Sequence, residues 1–162
     1  MKRLLMLIVL VLTGCGEQTP EEIMKHVNAT GMLTDKQAES LSKIENIDLS
    51  GLTSITDKQA ESLSKVGNVG LDGLTSITDA QAEILSKVIF DLSLNGLTSI
   101  TDAQLKSLSK ITDAQAESLS NSFCLYLNGL TSMTDAQLES LSNKEYGDDV
   151  IGIFEIPSII RD

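Results

Sequence analysis

The sequence predicts an α/β repeat fold in which short parallel strands alternate with short helices. Three observations carry this. The tetrad Thr-Asp-x-Gln begins at Thr34, Thr56, Thr78, Thr101, Thr112 and Thr134, at intervals of 22, 22, 23, 11 and 22 residues. A period near 22 marks a stacked array, in which each unit buries its apolar side against the next. A short alternation of apolar and polar residues precedes four of the copies, and period two belongs to a half-buried strand. The chain is 41% hydrophobic but only 3% aromatic, with no Trp, so its core must be Leu, Ile, Val and Ala. Stacked small units need no large gap-fillers.

Residues 1–14 read as an export signal. Lys2 and Arg3 precede an apolar run over residues 4–12. Nine helical residues span about 14 Å at ~1.5 Å each, well short of a ~30 Å hydrocarbon core. The run is therefore expected to be a signal peptide and not a membrane span. It ends in Leu12-Thr13-Gly14-Cys15, which resembles the bacterial lipobox, where the cysteine is acylated and becomes the new N-terminus. The resemblance implies a lipid on Cys15 and an extracytoplasmic place in the cell envelope. Gly16 stands where Asp would signal inner-membrane retention, which points to the outer membrane in a Gram-negative cell. Besides Cys15 the chain has only Cys124, so an acylated mature chain has no internal disulfide available.

Residues 15–33 read as a tether and a cap helix. Thr19-Pro20-Glu21-Glu22 is a helix start with Pro at its first position, and Ile23, Met24 and Val27 follow on one face. The repeat domain is expected over residues 34–143. Its strands carry the apolar pairs Ile47/Leu49, Val69/Leu71, Leu92/Leu94 and Leu125/Leu127. A glycine follows two residues later, at Gly51, Gly73, Gly96 and Gly129, and permits a turn away from the strand. The next two inward residues are Leu52/Ile55, Leu74/Ile77, Leu97/Ile100 and Leu130/Met133. The tetrad then starts a helix: Thr is the N-cap, Gln three residues on completes a capping box, and Asp in the first turn suits the positive helix end. Each helix is expected to bury residues three apart, as in Ala38/Leu41, Ala60/Leu63 and Leu105/Leu108. Glu39–Lys43, Glu61–Lys65 and Glu83–Lys87 have the favourable i, i+4 order for surface ion pairs. Residues 144–162 are apolar near their end, but Gly152 and Pro157 oppose a helix, so an extended cap or tail is expected.

The unit is clearest over residues 92–110, Leu-Ser-Leu-Asn-Gly-Leu-Thr-Ser-Ile-Thr-Asp-Ala-Gln-Leu-Lys-Ser-Leu-Ser-Lys. It resembles the cysteine-containing subtype of leucine-rich repeats, with Leu52, Leu74, Leu97 and Leu130 where that subtype has its cysteine. The resemblance covers about residues 32–143. It implies a short right-handed solenoid with parallel strands on the concave side and short helices on the convex side. One interval departs from it. Between Thr101 and Thr112 the strand and glycine are missing, and Lys110 runs straight into Ile111-Thr112. This reads as loss of half a repeat. It predicts either two helices joined end to end or a gap between the third and fourth strands, with the solenoid interrupted near residue 110.

Little in the chain points to chemistry. His26 is the only histidine and falls in the cap helix, and no phosphate-binding glycine loop or nucleophile-elbow motif occurs. Capping accounts for the repeated Asp without a metal. No catalytic residue, cofactor or metal site is expected. A net charge of −11 opposes a phosphate backbone and argues against a nucleic-acid partner.

The outward strand positions are the better candidates: Asn46, Asp48 and Ser50; Asn68, Gly70 and Asp72; Asp91, Ser93 and Asn95; Cys124, Tyr126 and Asn128. Alternation puts them on one face. Within it, Asp48, Asp72, Asp91, Ser93, Asn95, Tyr126 and Asn128 form the candidate binding surface, with Tyr126 as its aromatic anchor. The expected function is that of a membrane-anchored extracytoplasmic interaction or scaffold module with a protein partner. The alternatives are an accessory subunit of an envelope enzyme, or a decayed repeat array without selected function.

Overall fold

A computed structural model describes residues 18–109, 123–142 and 152–155. The chain is α/β, with a parallel sheet on one side and short helices on the other. The first described element is helix α1, Pro20–Thr30, capped by Thr19 and closed by Gly31 in the left-handed region at φ 72°. Helices α2 (Asp35–Leu41), α3 (Asp57–Leu63), α4 (Asp79–Leu85) and α5 (Asp102–Leu108) follow at repeat spacing, and α6 spans Asp135–Ser142. Between them lie β1 (Asn46–Asp48), β2 (Asn68–Gly70), β3 (Asp91–Ser93) and β4 (Phe123–Tyr126), with β5 (Gly152–Glu155) after α6. The strands pair in chain order, all parallel.

Register is set by the repeat. Ile47, Val69, Leu92 and Leu125 are Cα partners along one row. They and Leu49, Leu71, Leu94 and Leu127 are buried, as are Leu52, Leu74, Leu97 and Leu130. Each helix adds its pair three residues apart, and Ala38, Leu41, Ala60, Leu63, Ala82, Leu85, Leu105 and Leu108 are all buried. The core is thus a set of aliphatic rows running through the stack.

Each described Thr-Asp-x-Gln starts a helix as expected. In α2 to α5 both halves of the capping box form, and Thr134 and Gln137 exchange the same two bonds in α6. The copy at Thr112 lies outside the described residues. What the capping pattern does not reveal is the second use of the glutamine. Its Oε1 accepts the Thr N–H, which leaves its Nε2 to donate backwards. Gln59 donates to the Leu33 carbonyl at 2.6 Å, Gln81 to that of Ile55 at 2.8 Å, and Gln104 to that of Ile77 at 2.8 Å. One amide therefore closes a helix start and fastens its coil to the one before. A carboxylate would cap equally well but has no donor. Glu22 holds the same position in α1, where it is exposed and completes the box with Thr19.

The glycine row has a different reason from the turn read in the sequence. Gly51, Gly73, Gly96 and Gly129 do not have positive φ. They are needed because successive coils touch there. A Cβ on Gly73 would lie 2.5 Å from the Ser50 carbonyl oxygen, and one on Gly96 or Gly129 would run into the carbonyl of Asp72 or Asn95.

Two expectations are corrected. The sheet has no gap near residue 110, because β3 pairs directly with β4, Leu92 opposite Leu125. The second coil-to-coil bond agrees: Gln137 Nε2 reaches the Ile100 carbonyl at 3.1 Å. The coil of β4 and α6 therefore sits on that of β3 and α5. The longer interval between β3 and β4 does not part them, since strand pairing and the glutamine bond fix that contact and not the length of the intervening chain. Whether two helices join end to end there lies outside the described residues. The i, i+4 pairs also fail, because the helices stop at Leu41, Leu63 and Leu85, short of Lys43, Lys65 and Lys87. Among the described residues the ion pair runs between coils instead, Lys58 Nζ to Asp35 at 3.1 Å. In the C-terminal segment the described residues Gly152–Glu155 form β5, which lies beside β4.

Two predictions follow from the stacking bonds, both read by urea denaturation of the full chain. Gln81→Glu keeps the cap but buries a carboxylate against a carbonyl, and should destabilise by about 2–4 kcal/mol, whereas Gln37→Glu, at a half-buried site, should cost less than about 1 kcal/mol. Gly73→Ala should cost about 2 kcal/mol or more through overpacking, while Gly70→Ala, on a strand with ordinary space for a Cβ, should stabilise by about 0.5 kcal/mol.

Candidate functional site

The sheet presents one buried face and one face of short polar residues. The burial pattern alternates along β1, β2 and β3, with Ile47, Val69 and Leu92 inward and their neighbours outward. Parallel register lines the outward residues into rows. Asn46, Asn68, Asp91 and Cys124 form one row, and Asp48, Gly70, Ser93 and Tyr126 the next. Asp72, Asn95 and Asn128 follow two residues further along their coils.

Much of this face is engaged in holding the coils together. Asp72 Oδ1 accepts the Asn95 N–H at 3.0 Å and the Ser93 hydroxyl at 2.5 Å. Asn95 Oδ1 accepts the Asn128 N–H at 2.8 Å, and Asn95 Nδ2 donates to Ser93 Oγ at 2.9 Å. These residues form a polar ladder beside the aliphatic one. At its start Asn28, from α1, donates to the Asp48 carbonyl at 3.0 Å and accepts the Gly51 N–H at 2.8 Å, so α1 is stitched to the first coil. That amide belongs to an Asn-Ala-Thr triplet, and its role here is internal. Of the predicted surface, Asp72, Ser93, Asn95 and Asn128 thus take part in coil-to-coil bonds. Asp48 is exposed and accepts the Ser50 N–H and hydroxyl within its own turn. Asp91 and Tyr126 are half-buried on β3 and β4.

The strand face also holds a hollow of about 360 Å³ across β1, β2 and β3, near the low end of ligand clefts at ~300–1,000 Å³. One of its lining positions has no side chain. Gly70 sits between Asp48 and Ser93 in its row, and a Cβ there would meet nothing closer than Asp48 Oδ1 at 3.4 Å. Val69 and Gly70 line the hollow, Met24 of α1 contributes an apolar side chain, and Asn46, Asn68, Asp48 and Asp91 supply polar groups. Asn68 donates its amide to Asn46 Oδ1, and its own Oδ1 is buried with no hydrogen-bond partner. The carboxylates of Asp48, Asp72 and Asp91 have no ion-pair partner among the described residues. Sequence reasoning placed Asn46, Asp48, Asn68, Gly70, Asp91 and Ser93 on this face, kept Asp48, Asp91 and Ser93 for the candidate binding surface, and did not bring Met24 to it. The available signal for the hollow was the glycine itself, an outward strand position without a side chain.

Elsewhere the chemistry is sparse. His26 is half-buried in α1, where its carbonyl accepts the Thr30 hydroxyl at 2.8 Å. Among the described residues, no group of three or more His, Cys, Asp or Glu is placed to hold a metal ion. No described helix is long and apolar enough to cross a membrane. Comparison with protein-family models, with curated proteins and with solved structures finds no match to this chain.

Proposed function

We propose that this chain is a lipid-anchored, extracytoplasmic interaction module, a short right-handed solenoid of the leucine-rich-repeat kind that binds a partner protein through its strand face. The observation that carries the reading is the strand face itself: polar rows in register, a ligand-sized hollow, and carboxylates without a described cation. Stacked-repeat proteins use such continuous faces for binding. The in-order parallel sheet and the helix layer support the solenoid. The anchor rests on the signal-like residues 1–14 and on Cys15.

A photo-crosslinking residue at Ser93 or Tyr126, with the full chain expressed in intact bacteria, should trap the same protein from both positions. The same residue at Glu83, on the helix side, should not trap it. Adducts of equal yield from Glu83, or none from the strand face, would remove the reading. Labelled palmitate should enter the wild-type chain and be absent from Cys15→Ala; equal labelling of the two would exclude Cys15 as the attachment site.

A further inference from the structure

The polar ladder on the strand face has a loose end. In each rung a side-chain oxygen just before a coil's glycine takes the N–H of the matching residue in the next coil. Asp72 takes that of Asn95, and Asn95 that of Asn128. Asn95 is held at both ends of its amide, since its Nδ2 also donates to Ser93 Oγ at 2.9 Å. Asn128 gives its backbone N–H, but its exposed side-chain amide has no hydrogen-bond partner among the described residues. The register supplies a reason. Each bonded pair lies two residues beyond a strand pair, Gly70–Ser93 and then Ser93–Tyr126. The same count from Tyr126–Glu155 arrives at Pro157, and proline has no N–H to give.

Both asparagines precede a glycine, and Asn-Gly occurs nowhere else in the chain. With no side chain on the glycine, its nitrogen can approach the asparagine Cγ closely. Stacking keeps that glycine in place, because a Cβ on Gly129 would run into the Asn95 carbonyl. The Gly129 N–H has no hydrogen-bond partner among the described residues, whereas the Gly51 N–H is held by Asn28 Oδ1. We infer that Asn128 is a site of spontaneous deamidation, and that the ladder protects Asn95 from the same reaction. The Gly129 nitrogen loses its proton to solvent and bonds to Asn128 Cγ. The Cγ–Nδ2 bond breaks, and Nδ2 leaves as ammonia. Water then opens the cyclic imide. Cleavage of the new Cγ–N bond leaves aspartate. Cleavage of the bond from the Gly129 nitrogen to the Asn128 carbonyl carbon leaves isoaspartate, with the chain running through the former side chain. The net change takes up water, releases ammonia and adds a negative charge to the strand face. Aspartate suits the position, since Asp72 holds the equivalent one. Isoaspartate lengthens the turn that the Leu130 N–H closes on the Leu127 carbonyl, and loosens it.

The test incubates the full chain in mildly alkaline buffer, folded or unfolded in urea. Peptide mapping by mass spectrometry follows both asparagines, and fragmentation separates aspartate from isoaspartate. Asn95 and Asn128 both lie in Leu-Asn-Gly-Leu-Thr-Ser, so in urea they should convert at the same rate. In the folded chain Asn128 should convert at least about tenfold faster than Asn95, whose amide must first leave two hydrogen bonds. Ser93→Ala removes the acceptor of Asn95 Nδ2 and should speed Asn95 several-fold, leaving Asn128 unchanged. Equal rates at the two sites in the folded chain overturn the proposal. So does an Asn128 that converts in urea but stays intact when folded. A folded Ser93→Ala chain in which Asn95 is no faster overturns the protection by the ladder. If that variant does not fold, the wild-type comparison of folded with unfolded chain decides alone.

Discussion

Everything in this chain depends on the side-chain amide of one glutamine per coil. Stacked strands stand about 4.8 Å apart, so every polar group between coils must find its partner at that repeat or remain buried and unsatisfied. The glutamine meets both demands at once. Its oxygen takes an N–H left orphaned at a helix start, and its nitrogen takes a carbonyl of the coil before. With Gln59, Gln81, Gln104 and Gln137 only 6–8% exposed, these bonds compete little with water. Aliphatic rows supply the burial, but they are nearly identical from coil to coil and would tolerate sliding. The directional amide bonds make one stacking order specific.

The strand face divides between stability and recognition. Asp72, Ser93, Asn95 and Asn128 satisfy one another across coils. A ligand drawing on them would have to break those bonds. The first two coils differ, because the row lacks a side chain at Gly70 and Asn68 keeps an unsatisfied oxygen. The hollow lies where these departures from the repeat occur. Helix α1 completes it by bringing Met24 against the sheet.

The sequence made the repeating parts legible because repetition multiplies a weak signal. Alternation at Ile47/Leu49 alone is ambiguous; the same alternation at Val69/Leu71, Leu92/Leu94 and Leu125/Leu127 is not. Thr19-Pro20 announced α1 through cap chemistry, which is local. What stayed hidden was contact between coils. The glutamine Nε2 bond spans 26 residues or more, and no local pattern tells a capping glutamine from one that also staples. The glycine row looked like turn chemistry because close approach and positive φ select the same residue. The expected gap between the third and fourth strands came from reading period as structure. The hollow was hardest to foresee, since it is an absence at one position combined with a methionine from outside the repeat.

The continuity from β3 to β4 has a consequence for how such a chain can change over generations. The glutamine bond and the buried leucine rows recur from coil to coil, so neighbouring coils meet through similar joints. A duplication or loss of 22 residues adds or removes a storey and leaves the joints on either side chemically the same. The 33-residue separation of Gln104 and Gln137 shows that an out-of-period interval can be carried while β3 and β4 stay paired. Copy number is then free to drift under recombination between near-identical segments, whereas the first storeys, which hold the hollow, cannot be exchanged for a generic copy without losing what distinguishes them.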